Sequence, residues 1–165
     1  MSNVRVLVSD KLAEAGLQVL REAPGVELEF RPGMSEDELC EIIGDYDGLI
    51  IRSATQVTEE VLDAGSDLVV VGRAGIGLDN VDTRAATERG VMVVNAPQSN
   101  IISTAEQTMA LMLAQARNTA QADAALKAGR WERSKWPGTE LHGTTLGIGG
   151  LGRVGALVAQ RAAPS

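Results

Sequence analysis

The stretch that decides the fold is Thr144-Thr145-Leu146-Gly147-Ile148-Gly149-Gly150-Leu151-Gly152-Arg153-Val154-Gly155, whose second half has the spacing G-x-G-x-x-G. Residues 144–149 predict a short strand, and residues 156–161 predict the first turns of a helix. A strand, a glycine-rich turn and a helix N-terminus form the setting in which proteins bind the pyrophosphate of a dinucleotide. The stretch therefore predicts the beginning of a Rossmann domain.

The three glycines of the motif have separate roles in such a turn. Gly150 permits the sharp turn, Gly152 lets a pyrophosphate approach the backbone, and Gly155 lets the helix pack closely. The helix N-terminus adds free N–H groups and a partial positive charge. The glycine spacing alone is weak evidence, and the flanking strand and helix strengthen it. Gly147 and Gly149 make the predicted strand rich in glycine, which weakens it.

The residues before this stretch alternate between apolar, strand-like runs and helix-like runs. Five strands are predicted, at residues 4–8, 26–30, 48–51, 68–71 and 91–94. Four helices are predicted between them, at residues 11–22, 36–44, 59–64 and 83–89. This alternation indicates parallel strands joined by right-handed crossovers. The chain is therefore predicted to be an α/β protein that begins with a flavodoxin-like parallel-sheet domain.

Polar residues at the predicted helix ends support these assignments. Ser35 and Glu38 fit a capping box at the start of the second helix. Thr58 precedes two acidic residues, where the helix dipole favours negative charge. Asp82 can cap the fourth helix, and Gly90 can end it.

The segment Asn95-Ala96-Pro97 interrupts the alternation, so we place a domain boundary there, with one domain over residues 1–96 and a second over residues 97–165. A second capping box, Ser103 with Glu106, predicts a long helix that ends near Arg117. Its interior is apolar nearly all round, so we expect it to be buried on most sides. A further helix is predicted at residues 119–128.

Composition limits the class of protein. The chain has 165 residues, 44% of them hydrophobic, and a net charge of −7. This charge argues against a general role in binding nucleic acid or a membrane surface. With no signal peptide or transmembrane stretch in the sequence, a cytoplasmic protein is expected. The single cysteine, Cys40, excludes an internal disulfide and is expected to be a small buried apolar residue.

Ligands of open α/β sheets bind beyond the carboxyl ends of the strands, where this sequence places several capable residues. Arg52 and Ser53 follow the third strand, and a guanidinium suits a carboxylate or a phosphate. Pairing with a neighbouring carboxylate explains Arg52 about equally well. Gly75-Ile76-Gly77 follow the fourth strand and can turn N–H groups toward an anion, although an ordinary turn is the simpler explanation.

Other candidates are weaker. His142 is the only histidine, and its place in a connector indicates a surface position. Glu106 has the chemistry of a general base, but the capping box explains it more simply. The basic segment at residues 127–135 is interpreted as a solvated connector rather than a phosphate-binding patch. The sequence has no cluster with the spacing of a metal site.

Together these segments resemble the D-isomer-specific 2-hydroxyacid dehydrogenases. The resemblance covers nearly the whole chain, at residues 8–12, 49–55, 71–82, 94–97, 104–106, 131–133, 138–140 and 150–155. Three of its segments favour the phosphoglycerate branch of the family: Arg52-Ser53-Ala54-Thr55, Trp131-Glu132-Arg133 and Gly138-Thr139-Glu140. The sequence departs from the family at Ile76, where many relatives have threonine or valine, and at Gly149, where a branched apolar residue is usual.

The resemblance implies a discontinuous substrate-binding domain, with a Rossmann domain inserted after about Pro97 and a cleft between the two. It implies that Arg52, Ser53 and the backbone of Gly75, Ile76 and Gly77 bind the substrate. It places Ile76 near the nicotinamide of NAD. It implies that the pyrophosphate of the cofactor meets five residues, Gly150, Gly152, Arg153, Val154 and Gly155.

The implied activity is the NAD-dependent oxidation of 3-phosphoglycerate to 3-phosphohydroxypyruvate, the first step of serine biosynthesis, in a homo-oligomer formed through the NAD-binding domain. The catalytic arginine, glutamate and histidine of the family, and its ribose-binding acid, would lie beyond Ser165. No catalytic residue is therefore expected in this chain, which alone would be inactive. The alternatives are a glyoxylate or hydroxypyruvate reductase, another D-2-hydroxyacid dehydrogenase, or a non-catalytic binding fragment.

Overall fold

A computed structural model of the protein describes residues 3–163. Met1, Ser2, Pro164 and Ser165, which fall at the ends of the two predicted domains, lie outside the described residues. The chain divides into two compact units, one up to Ser99 and one from Asn100 onward. The assignment of a substrate-binding domain to residues 1–96 and a cofactor-binding domain to residues 97–165 stays a prediction.

The first unit is built on a five-stranded parallel sheet. Its strands are β1 (Val4–Val8), β2 (Val26–Phe30), β3 (Gly48–Ile51), β4 (Val70–Arg73) and β5 (Met92–Asn95). They lie in the order β2-β1-β3-β4-β5, and all four pairings are parallel. This is the flavodoxin-like order, so the predicted fold class is confirmed. The first three strands match the prediction, whereas β4 begins two residues later and β5 one residue later.

Four helices connect the strands, α1 (Glu14–Arg21), α2 (Glu36–Ile42), α3 (Glu59–Ala64) and α4 (Thr83–Glu88). The predicted capping box of α2 is confirmed, because the Ser35 hydroxyl accepts from the Glu38 amide and the Glu38 carboxylate accepts from the Ser35 amide. Thr58 and Asp82 cap α3 and α4 with one hydrogen bond each, accepted from the amides of Val61 and Ala85. α1 begins three residues later than predicted and has no side-chain cap.

The core of this unit lies between the sheet and helices α2 to α4. Leu7, Leu49, Val71 and Val93 stand opposite one another on adjacent strands, and the first three are fully buried. Cys40 packs against this core as expected for a small apolar residue. Burial raises the pKa of the Cys40 thiol, which disfavours the nucleophilic thiolate.

The second unit contains α5 (Ile101–Ala116), α6 (Thr119–Lys127) and α7 (Arg153–Ala162). The predicted capping box at Ser103 is wrong. The residues before Ser103 are already helical, so α5 begins at Ile101 and Asn100 precedes it without a side-chain cap. The Ser103 hydroxyl donates to the Asn100 carbonyl instead. Glu106 faces solvent, and its carboxylate lies 3.6 Å from the guanidinium of Arg161 on α7.

The predicted strand at residues 144–149 is also not formed, and these residues have an irregular backbone. A parallel strand is held by hydrogen bonds from its neighbours. No other strand lies within residues 100–163 to provide them. The glycines at positions 147 and 149 lower the strand propensity further.

α5 is less buried than its composition predicts. Only Ala105 is fully buried, whereas Ile102, Leu111 and Leu113 are each at least half exposed. The helices of residues 100–163 that pack against α5 are α6 and α7, and they cover only part of its surface. None of the helices between residues 3 and 163 has the length and apolar character needed to cross a bilayer.

Tyr46 joins the core to the surface of the first unit. Its ring is buried, and its hydroxyl donates to the Glu29 carboxylate on β2. The guanidinium of Arg5 lies over the ring, 4.8 Å from its centre. Burial first, and the hydrogen bond to Glu29 second, raise the pKa of Tyr46 to about 12.

Because Tyr46 is the only tyrosine, the near-ultraviolet absorbance of tyrosinate reports its ionisation alone. We expect a native titration near pH 12 and a titration of the urea-unfolded chain near about pH 10. The pKa of Tyr46 is higher in the folded state than in the unfolded state, so its protonated form stabilises the fold. This stabilisation is complete below about pH 10 and is lost as the pH rises toward the folded-state pKa. Glu29→Gln should lower the native pKa part of the way, because burial remains. A native titration at the unfolded value would contradict the buried position.

Candidate functional site

The carboxyl ends of the parallel strands gather the polar residues of the first unit at one edge of the sheet. Asp10 lies two residues after β1, Arg52 directly follows β3, Arg73 ends β4, and Asn95 ends β5. In open α/β sheets this is the edge at which ligands bind. Its geometry therefore decides whether the residues predicted from the sequence can act together.

A buried carboxylate holds the loop that follows β3. Asp10 is only 5% exposed. Its Oδ2 accepts hydrogen bonds from the amides of Arg52 (2.6 Å), Ala54 (3.2 Å) and Thr55 (3.3 Å). Its Oδ1 accepts from the Thr55 hydroxyl at 2.9 Å. The loop at residues 52–55 is thus folded around a negative charge that it fully satisfies.

Asn80 holds the same loop by its carbonyl groups. Its side chain is 5% exposed, and its Nδ2 donates to the carbonyls of Arg52 (2.9 Å) and Thr55 (2.7 Å). The Ser9 hydroxyl adds a 2.9 Å hydrogen bond to the Thr55 hydroxyl. Asp10 thus binds the amides of the loop, and Asn80 binds its carbonyls.

Arg52 presents its guanidinium outward from this fixed loop. Its Nη1 donates to the Lys11 carbonyl at 3.1 Å. Within residues 3–163, no carboxylate forms an ion pair with Arg52. Asp10 is engaged by the backbone amide of Arg52 rather than by its side chain. Pairing with a neighbouring carboxylate, the alternative explanation of Arg52, is therefore wrong for this structure.

A cavity of about 230 Å³ opens beside Arg52. Ser53 lines it together with Arg52, and Lys11 and Gly33 form other parts of its wall. The cavity thus joins two residues predicted to bind the substrate with residues that the sequence did not single out.

The predicted segment Gly75 to Gly77 is connected to the Arg52 loop through Arg73. The Nε of Arg73 donates to the Arg52 carbonyl at 3.1 Å. Its guanidinium lies so close to Gly75 that a Cβ there would stand 2.1 Å from Nη1. The Gly75 amide donates to the Arg73 carbonyl at 2.8 Å, so an anion at this segment would have to use the amides of Ile76 and Gly77.

The Ile76 segment is also held by the end of β5. Asn95 Nδ2 donates to the Ile76 carbonyl at 2.6 Å, and the Ala96 amide donates to the Gly75 carbonyl at 2.9 Å. These bonds fix the direction in which the backbone of this segment faces.

In the second unit, the glycine turn and the helix form although the strand does not, and the helix begins at Arg153, three residues earlier than predicted. Gly150 has φ +101°, which favours glycine. Gly152 is the N-cap of α7, and Arg153 and Val154 are its first two residues. A Cβ on Gly155 would lie 2.1 Å from the Gly150 carbonyl oxygen, whereas a Cβ on Gly152 would meet open space. Gly155 thus lets α7 approach the turn itself.

The weaker sequence candidates gain no support as catalytic groups. His142 is exposed in a turn. In the basic segment, the carboxylate of Glu132 pairs with Arg130 at 3.6 Å and with Lys135 at 3.4 Å. Within the described part of the chain, no group of three histidine, cysteine or acidic residues is placed to hold a metal ion.

Asp10, Asn80 and Lys11 were not identified from the sequence. For Asp10 a signal existed, because it follows β1 as Arg52 follows β3. For Asn80 none existed, because its role depends on carbonyls 25 and 28 residues away.

Residues 6–144 match the model of the catalytic domain of the D-isomer specific 2-hydroxyacid dehydrogenases. The chain belongs to this family. The resemblance derived from the sequence is therefore confirmed.

Three similar proteins give the extent of the match. The D-3-phosphoglycerate dehydrogenase of Methanocaldococcus jannaschii is 50% identical over 159 residues, which cover 96% of this chain and 30% of that protein. A crystal structure from Thermus thermophilus, 36% identical, matches 96% of this chain and 52% of its own with a TM-score of 0.89. The NAD-dependent formate dehydrogenase of Staphylococcus aureus in complex with NAD is 28% identical and covers 96% of this chain and 53% of its own, with a TM-score of 0.82. The chain thus spans less than a third of the M. jannaschii enzyme.

We predict that Asp10→Ala destabilises the first unit by about 2–4 kcal/mol, because the buried amides of the Arg52 loop lose their acceptor. Urea denaturation followed by circular dichroism measures this effect. Amide hydrogen exchange at Ala54 and Thr55 should also become faster.

The control is Asp67→Ala, which removes an exposed carboxylate and should change the unfolding free energy by less than about 0.5 kcal/mol. Equal effects of the two substitutions would contradict the role assigned to Asp10.

Proposed function

We propose that this chain is the substrate-binding part, and the beginning of the cofactor-binding part, of an NAD-dependent D-3-phosphoglycerate dehydrogenase. The reaction is the oxidation of the C2 hydroxyl of 3-phosphoglycerate to the ketone of 3-phosphohydroxypyruvate, as in the first step of serine biosynthesis. The observation that carries this proposal is Arg52, an arginine on a rigid loop at the ligand-binding edge of the sheet, without a carboxylate partner in residues 3–163. The 50% identical relative from M. jannaschii supports the same substrate.

In this proposal Arg52 and Ser53 bind the phosphate end of the substrate. The planar guanidinium offers paired N–H donors to phosphate oxygens, and the serine hydroxyl adds a third. The Asp10 and Asn80 hydrogen bonds place both side chains without using their polar groups. The loop is thus organised before the substrate arrives, which lowers the entropic cost of binding.

The backbone of Gly75, Ile76 and Gly77 binds the carboxylate end of the substrate. The Gly75 amide is already used within the chain, so the donors are the amides of Ile76 and Gly77. Asn95 supports this orientation by holding the Ile76 carbonyl. Ile76 also lies near the nicotinamide in this proposal, and its aliphatic side chain offers the ring an apolar contact rather than a hydrogen bond.

The cofactor-binding residues are Ile76 together with Gly150, Gly152, Arg153, Val154 and Gly155. The open space at Gly152 and the N-terminus of α7 fit a pyrophosphate, whose charge the helix dipole favours. Bound NAD would supply the acceptor for the hydride from C2. NAD rather than NADP is our choice because the S. aureus relative was solved with NAD.

The proton transfer is assigned to residues outside this chain. The resemblance to the family places its histidine, glutamate and arginine beyond Ser165. We also propose that the complete enzyme is a cytoplasmic homo-oligomer formed through the NAD-binding domain. The exposed apolar side chains of α5, Ile102, Leu111 and Leu113, support this assembly.

The alternative within the family is a reductase of glyoxylate or hydroxypyruvate. Those substrates carry no phosphate, so the guanidinium of Arg52 would have less to bind. Turnover of 3-phosphoglycerate against turnover of glycerate by a full-length enzyme that contains this chain separates the two reactions.

We predict that Arg52→Ala in the full-length enzyme lowers kcat/KM for 3-phosphoglycerate by about 10- to 150-fold, since a charge-assisted hydrogen bond to phosphate contributes about 1.5–3 kcal/mol. The affinity for NAD should not change. Steady-state kinetics and calorimetry with NAD provide the two measurements. Arg84→Ala, which removes an exposed arginine of α4 paired with Glu88, is the matched control. If kcat/KM is the same for Arg52→Ala and the wild type, Arg52 does not bind the substrate.

We predict that Gly152→Val abolishes NAD binding while the protein stays folded. The Cβ at this position meets open space, so folding is unaffected, but the side chain fills the volume through which pyrophosphate approaches the backbone. Calorimetry with NAD and circular dichroism measure the two effects. Gly16→Val, at another position where a Cβ meets open space, should bind NAD normally. Unchanged NAD affinity in Gly152→Val would limit the glycine motif to a structural role.

A further inference from the structure

The cavity beside Arg52 contains a second cation, Lys11. Lys11 directly follows the buried Asp10, and it lines the same space as Arg52 and Ser53. Both residues border the cavity, but the Asp10 carboxylate is bound by the amides of the Arg52 loop.

The charges around this cavity do not cancel. Asp10 is the only acidic residue in its lining, and its oxygens accept from three amides and a hydroxyl. In the described part of the chain, neither Lys11 nor Arg52 forms an ion pair with a carboxylate. A protein with a net charge of −7 therefore lines one small cavity with two basic residues and a single carboxylate, which the loop backbone already binds.

The Arg52 side chain and its loop are tied to the backbone next to β1. The Arg52 guanidinium donates to the Lys11 carbonyl, and the Arg52 amide donates to Asp10, the residue before Lys11. Another part of the wall is held in place, because the Gly33 amide donates to the Ser9 carbonyl at 3.2 Å. Unpaired cations at a rigid concave surface are suited to an anion of two negative charges.

We propose that Lys11 is a second phosphate-binding residue, which acts with Arg52 and Ser53 to select substrates that carry a phosphate monoester. This inference rests on the proposed function, since it concerns the phosphate end of the same substrate. Arg52 supplies a planar pair of donors, and Lys11 supplies a compact charge on a flexible chain. Together they match a dianionic phosphate, whereas an unphosphorylated hydroxy acid would leave both cations without a partner.

The first test is the kinetics of Lys11→Gln in the full-length enzyme. We expect kcat/KM for 3-phosphoglycerate to fall about ten-fold, mainly through KM, because a binding charge is lost. The value for glycerate should not change, and Lys11→Arg should restore most of the loss. The matched control is Lys127→Gln, an exposed lysine paired with Asp123 on α6.

The second test measures the binding of inorganic phosphate to the same proteins by calorimetry, without turnover. The wild type should bind phosphate more tightly than Lys11→Gln, by about the same ten-fold factor, and rising salt should reduce the difference. Equal phosphate affinities, or no phosphate binding by the wild type, would overturn the role of Lys11 even if 3-phosphoglycerate is oxidised. Phosphate binding that depends on Lys11 in an enzyme that does not oxidise 3-phosphoglycerate would support this inference and reject the proposed function.

Discussion

The buried carboxylate of Asp10 is the constraint on which the ligand-binding edge depends. Removing a carboxylate from water costs several kcal/mol unless hydrogen bonds replace the lost hydration. Here the amides of Arg52, Ala54 and Thr55 and one hydroxyl provide that replacement. The exchange is mutual, since the loop needs an acceptor for its buried amides and the carboxylate needs donors. The side chains of Arg52 and Ser53 are therefore not used in binding Asp10.

The fold was largely predictable because apolar runs mark buried strands. The errors in the strand bounds arose at residues that are buried in the core but do not belong to the hydrogen-bonded sheet. Leu68 and Val91 are buried in the core but lie outside the hydrogen-bonded ladder, so β4 and β5 begin later than the apolar runs. The strand at residues 144–149 depends on neighbouring strands, which a local pattern does not reveal. The pattern of Ser103 and Glu106 occurs inside a helix as well as at its start, so it misplaced the N-terminus of α5.

The candidate site was predictable only for residues whose position along the chain carries information. Arg52 and the segment from Gly75 to Gly77 follow strands, and the rule for parallel sheets identified them. Asp10 also follows a strand, but the residues that it binds lie more than 40 positions away, and the sequence does not reveal those contacts. Lys11 belongs with Arg52 only once the sheet has brought β1 and β3 side by side.

The close approach of Arg73 to Gly75 makes these two positions interdependent. Any side chain at position 75 would displace the guanidinium from the Arg52 carbonyl. A substitution at residue 75 would then break the hydrogen bond between Arg73 and the Arg52 carbonyl, whether or not the backbone of residue 75 touches a ligand. Displacement of Arg73 would carry the effect to the Arg52 loop. A second substitution that shortens the side chain at residue 73 should remove the steric clash. The effects of substitutions at positions 73 and 75, at the carboxyl edge of the sheet, are therefore expected to be epistatic.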